Sequence, residues 1–347
     1  MKKNSHETRP YPPSFLDRFM GFVERLRWPY WLTYLGLFIL QSLILHALAW
    51  ILGWLPVFTF SSIVLLFPIW QWGPLALMTH LNRVSREALA SFSPLMQVDE
   101  ERLERLKVEF TVMPARSVFL SGAIWTIVYG ILTVLSFQAF YVGYGLGNFL
   151  SVVIIITGLI AYATGSAIYY HSFRQLRLVD QTVKMVRQFD LFRLTPVYAF
   201  SRVTSQIGIA WMVMLSLTLL VFPIKLATLP VLVILALQVL LAVAAFVLPL
   251  LFVNRRLVHE KRRLLAEHNL RVEANLERLH RCLDEKKMDE MAQLNNGMQG
   301  LNVERNILNG IPTWPWRTNT LTGFLSTLGL PIIIFLIQLL IKSLLGV

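Results

Sequence analysis

Apolar residues in this chain gather in long unbroken runs, separated by polar stretches with helical spacing. Seven runs reach or approach the roughly 20 residues a helix needs to cross about 30 Å of hydrocarbon. They cover 30–54, 57–79, 118–140, 149–170, 206–222, 230–253 and 321–341, the fifth being the shortest. Short connections at 53–56, 141–148 and 223–229 pair the first six into hairpins, and Lys225 is the only charge among them. Pro331 interrupts the last run, so that segment either crosses or dips in and returns. The pattern predicts an all-α, polytopic integral membrane protein of about seven transmembrane helices in hairpins, with a cytoplasmic antiparallel helical hairpin.

The polar stretches carry their own periodicity. Within 1–29, Phe15, Leu16, Phe19, Phe22, Val23 and Leu26 recur at helical spacing among Arg18, Arg25 and Arg27. Ser14 and Asp17 resemble a capping box, and Pro29 closes the segment, which reads as an interfacial amphipathic helix. The connections 81–117 and 171–205 show stripes at Leu103, Leu106 and Phe110, and at Leu176, Val179, Val183 and Val186. The longest polar stretch, 254–320, has Val258, Leu265, Val272 and Leu279 every seven residues, with Leu276 and Leu283 as heptad companions. A charged turn at 284–287 precedes a second series, Met291, Leu294, Met298, Leu301 and Leu308, which predicts a returning arm. Gly297 and Gly300 weaken that arm. Hydrophobic hairpins at 30–80, 118–170 and 206–253 and a C-terminal helix at 321–347 complete the organisation.

Charge supplies orientation. Thirty of the 32 Lys and Arg lie in the N-terminal segment and the three long connections, and the positive-inside rule makes that side cytoplasmic. The net charge of +12 is thus explained by topology and anionic lipid, without nucleic acid. The plasma (cytoplasmic) membrane is the expected location, with the N-terminus inside. No apolar core followed by a cleavage site occurs in 1–28, so no removable signal peptide is expected. A single cysteine, Cys282, excludes an internal disulfide.

All twenty Asp and Glu fall outside the seven runs, so the intramembrane carboxylate usual in ion-coupled transporters is missing. His46, inside the first run, has no second histidine at ligand spacing. No phosphate loop, nucleophile elbow or zinc pair occurs, and no cofactor is expected. His-x-x-Arg recurs at His80 with Arg83, His171 with Arg174 and His259 with Arg262. Arg116, Arg202 and Arg317 each follow a proline where the chain returns to an apolar run. These residues are candidates for anionic lipid headgroups. Val258, Leu265, Val272, Leu276, Leu279 and Leu283 form a candidate seam for a protein partner or a second copy. The expectation is a non-catalytic membrane scaffold or sensor; a channel-like or permease subunit is the alternative, motivated by Pro68, Gly73 and Pro74 in the second run.

Overall fold

The computed structural model describes residues 10–96, 98–135, 148–186, 191–192, 194–221, 229–285 and 287–345. The expected connections 141–148 and 223–229 lie outside the described residues, apart from Asn148 and Leu229, which begin helices. Among the described residues there are eleven α-helices, two short 3-10 turns and no strand. In chain order the helices are α1 (Phe15–Arg25), α2 (Tyr30–Ile51), α3 (Leu66–Phe92), α4 (Glu100–Thr111), α5 (Ala115–Leu135) and α6 (Asn148–Gly165). They continue with α7 (Ala167–Lys184), α8 (Thr195–Val221), α9 (Leu229–Asp284), α10 (Met288–Gly310) and α11 (Thr318–Leu345). Six segments are long and apolar enough to cross a membrane: Tyr30–Ile51, Ala115–Leu135, Phe149–Lys184, Thr195–Val221, Ala236–Asp284 and Thr318–Leu340.

Local chemistry sets several boundaries. Ser14 Oγ accepts from the Asp17 N–H at 3.1 Å and Asp17 Oδ2 accepts from the Ser14 N–H at 3.0 Å, closing the capping box of α1. Asp99 caps α4 by accepting from the Arg102 N–H at 3.2 Å. The helix α11 runs unbroken through Pro331.

The centre of the bundle is α8, packed by α3, α9 and α11, with Trp211, Met212 and Leu215 fully buried. Pairs Trp70 with Thr218, His80 with Gln206 and Glu87 with Arg202 show that α3 runs antiparallel to it. Gly208 lets α8 approach closely: a β-carbon there would sit 2.6 Å from the Phe324 ring of α11 and 3.1 Å from the Ala242 carbonyl of α9. On α2, α5 and α11 most outward positions are apolar. Leu35, Ile39 and Leu43 on α2, Phe119, Ile124 and Ile127 on α5, and Leu325, Ile332 and Leu336 on α11 are all exposed. A surface of this kind matches a hydrocarbon solvent.

Two apolar runs differ from their expected form. Of the run 57–79, the first residues form a loop, with Phe58 at φ 63°, and helix begins only after the 3-10 turn Ser62–Leu65. The loop is tied back by His46: its Nδ1–H donates to the Ser42 carbonyl at 2.8 Å, and its Nε2 accepts from the Ser61 N–H at 3.1 Å. Both nitrogens are therefore committed to structure. The helix that follows, α3, is absent from the six apolar segments because its neighbours are protein helices, which accommodate buried Thr79, Asn82 and Ser85 where lipid would not. The run 149–170 is divided at Ser166 into α6 and α7. At this division Gly165 lies against the Trp70 carbonyl, which Pro74, lacking an N–H, leaves without its helical partner.

Candidate functional site

The most distinctive element is α9, 56 residues long and about 84 Å in length at 1.5 Å per residue. Its proximal part is core, with Ala242, Phe246, Leu250, Val253 and Leu257 buried. From Asn254 onward its character changes, and polar bonds tie it to the returning chain in a constant antiparallel register. Asn254 Nδ2 donates to the Thr313 carbonyl at 3.0 Å. Lys261 Nζ donates to the carbonyls of Asn309 and Ile311 at 2.7 and 2.8 Å, capping the C-terminal end of α10 with a cation. Nearer the tip, Glu304 takes His268 Nδ1 at 3.0 Å and Arg271 Nη1 at 3.1 Å, and Cys282 Sγ lies 3.5 Å from Glu290 Oε2. At the turn, the Lys287 ammonium 2.7 Å from Glu285 holds that carboxyl below the ordinary range.

The expected heptad residues divide between two faces. Val258, Leu265, Val272 and Leu279 are half-buried, and the inner companions at heptad spacing are Lys261, His268, Asn275 and Cys282. His268 is 2% exposed, whereas Leu276 and Leu283 are 39% and 50% exposed. The apolar companions thus point away from the α9–α10 contact. Met291, Leu294, Met298 and Leu301 are half-buried on α10, and Leu308 is buried.

Two clefts open on the outside of this pair. One, of about 350 Å³, is lined by Phe192, Leu264, Gly300, Val303 and Ile307 with Glu267 and Arg271 at its sides. The other, of about 370 Å³, follows α9 past Asn269, Val272, Leu276 and His280 between Glu273 and Glu277. Leu276, Val303 and Ile307 are exposed apolar residues flanked by charges, the composition of a docking surface. A methyl group at Gly297 or Gly300 would meet nothing within 4 Å. Gly297→Ala and Gly300→Ala are therefore expected to stabilise α10 by about 1 kcal/mol each, read as slower amide exchange along that helix.

Comparison with known protein families, with characterised proteins and with solved structures finds no match to this chain. Function therefore has to be argued from the residues themselves.

The His-x-x-Arg pairs are placed differently from one another. His80 bridges Tyr30 and Gln206 at 3.3 and 3.0 Å, while Arg83 lies over the Tyr30 ring at 5.2 Å. His171 is 1% exposed and bonds Asn82 Oδ1 at 2.8 Å, so a headgroup has no access to it. Arg174 donates to the Val112 carbonyl and to the Tyr11 hydroxyl. Only His259 and Arg262 are both exposed. Among the proline-associated arginines, Arg116 is exposed, Arg202 pairs with Glu87 at 3.0 Å and Arg317 stacks over Tyr198 at 5.7 Å.

Sequence reasoning passed over the buried polar contacts between helices: Trp211 Nε1 donating to Ser172 Oγ at 3.1 Å, and Gln175 Nε2 to the Phe110 carbonyl at 3.0 Å. The signal was present in the spacing of Thr79, Asn82 and Ser85, one polar residue per turn on a single helical face. Among the described residues no group of three or more His, Cys, Asp or Glu is arranged to hold a metal ion.

Proposed function

We propose that this chain is a non-catalytic multi-pass membrane scaffold or sensor that presents the α9–α10 hairpin in the cytoplasm to a protein partner or to a second copy. In this reading the chain crosses the plasma membrane seven times, α3 being the seventh crossing. Its N-terminus, the segment containing α4 and the hairpin lie inside, in line with the distribution of Lys and Arg. The observation that carries the reading is the continuity of α9: a single helix passes from buried apolar packing into a charged arm whose outer face keeps exposed leucines. A rigid helix of this kind holds a docking surface at a fixed distance and angle from its anchor. A transport reading calls for freed backbone groups lining a wet path along α3. The Trp70 carbonyl freed by Pro74 is instead covered by Gly165, which favours the scaffold.

Leu276→Asp with Leu283→Asp tests this on the purified full chain in mild detergent. Self-association or partner retention is expected to fall at least about tenfold, from loss of two apolar anchors, with amide protection of α10 unchanged. Leu265→Asp with Leu279→Asp is expected instead to loosen α10 from α9, because those residues are half-buried beside the inner positions and line neither cleft. Association that survives the outer pair of changes refutes docking on this face, and ion flux in reconstituted vesicles would establish the channel alternative.

A further inference from the structure

The helix α1 has two faces with different partners. Leu16, Met20 and Val23 are buried against Tyr34 of α2, Met78 of α3, Val118 of α5 and Ile168 of α7. The opposite face carries Phe15, Arg18, Phe22 and Arg25 at spacings of three, four and three, followed by Arg27, Trp28 and Trp31. Phe15, Phe22, Trp28 and Trp31 are 57%, 59%, 70% and 54% exposed. Four exposed aromatics on so short a stretch form an apolar patch of the kind that marks an interaction surface.

Position and charge together indicate what covers it. The inner face rests on Val118, beside which Phe119 and Leu120 point outward from α5; from α2, Trp31, Leu35 and Ile39 point outward as well. The outer face of α1 is thus continuous with the apolar outer surfaces of two helices suited to span a membrane. Its two acids are occupied: Asp17 accepts from Ser14 and Met113, and Glu24 pairs with Arg86 at 2.6 Å. Among the described residues, no carboxylate pairs with Arg18, Arg25 or Arg27. The helix cannot roll to hide the patch, because the Ser14 N–H donates to the Met113 carbonyl at 3.2 Å and the Met113 N–H donates back to Asp17 at 2.9 Å.

We propose that the outer face of α1 lies in the headgroup layer of the cytoplasmic leaflet, with Phe15, Phe22 and Trp28 at the acyl boundary and Arg18, Arg25 and Arg27 on lipid phosphates, so that it selects anionic lipid. Aromatic rings are favoured at this depth, and each arginine near an anionic surface adds attraction. The proposal rests on the bilayer placement above but not on the hairpin's role.

The single native thiol makes the test direct. In a Cys282→Ser background, Phe15→Cys, Phe22→Cys and Leu120→Cys each carry an environment-sensitive fluorophore. The full chain is reconstituted in vesicles of phosphatidylcholine and phosphatidylglycerol with one or the other lipid brominated. Quenching of the probes at 15 and 22 by brominated phosphatidylglycerol is expected to exceed that by brominated phosphatidylcholine roughly threefold or more. Arg18→Gln, Arg25→Gln and Arg27→Gln combined are expected to equalise the two lipids at those sites and leave the probe at 120 unchanged. Water-like emission at 15 and 22 with quenching retained at 120 overturns the proposal, as does equal quenching by both lipids in the unsubstituted arginine background. Loss of quenching at 120 as well removes the bilayer placement itself.

Discussion

Gly165→Val is expected to abolish stable folding of the bundle, lowering stability by about 3 kcal/mol or more, the upper end of overpacking. A β-carbon at position 165 would lie 2.0 Å from the Trp70 carbonyl oxygen and 3.2 Å from Pro74 Cγ. Neither neighbour can retreat. Trp70 is held by its indole N–H, which donates to Thr218 Oγ1 at 3.0 Å, and by stacking on Tyr162 at 5.8 Å; Pro74 is buried within α3, as are Leu75 and Met78 beyond it. Valine would therefore force α6 away from α3 and leave the proline-freed carbonyl without its glycine cover. Gly165→Ala carries the same clash and the same sign. Gly36→Ala and Gly130→Ala, where an added methyl meets nothing within 4 Å, are the matched controls and should not lose stability. Thermal unfolding in detergent, together with the monodisperse fraction after extraction, separates the two classes.

The same contact shows why some of this architecture was legible in the sequence and some was not. Helices long and apolar enough to cross a membrane announce themselves in sequence because their outward positions are apolar as well as their inward ones, as on α2 and α5. The helix α3 does not, since along 66–82 it packs against other helices, and its buried Thr79 and Asn82 are matched by Tyr34 and His171, far away in sequence. Heptad reading assumes that the apolar companion faces inward. On α9 the inner companions are Lys261, His268 and Cys282, because α10 offers carbonyls, Glu304 and Glu290 to receive them, which frees Leu276 and Leu283 for the outer face. The His-x-x-Arg spacing was visible, yet its chemistry depends on Gln206, Asn82 and Tyr11, none of them local. For α1, six apolar residues suggested one broad face, whereas the fold divides them between protein and the outer surface.

Asp17 tests how α1 is held. Its Oδ2 accepts from the Ser14 N–H, from Ser14 Oγ at 2.6 Å and from the Met113 N–H, so one oxygen both caps α1 and fastens it to the residues between α4 and α5. Asp17→Ala leaves those buried donors without an acceptor and is expected to cost about 2–3 kcal/mol. The readout is faster amide exchange at Met113 and faster trypsin cleavage at Arg18 and Arg25. Asp17→Asn keeps an acceptor and removes the charge, so its loss should stay within about 1 kcal/mol. The charge has a cost of its own: burial pushes the Asp17 carboxyl above its ordinary range, against the hydrogen bonds of Ser14 and Met113 and the positive field of Arg174. The folded state consequently binds the proton more tightly than the unfolded chain does. Stability of the native protein relative to Asp17→Asn should rise as pH falls through the raised pKa, and level off below the ordinary carboxylate pKa of the unfolded chain. A difference that instead widens in favour of Asp17→Asn on acidification would mean that the ionised carboxylate is the form the fold prefers, and that α1 is held by charge more than by the geometry of its cap.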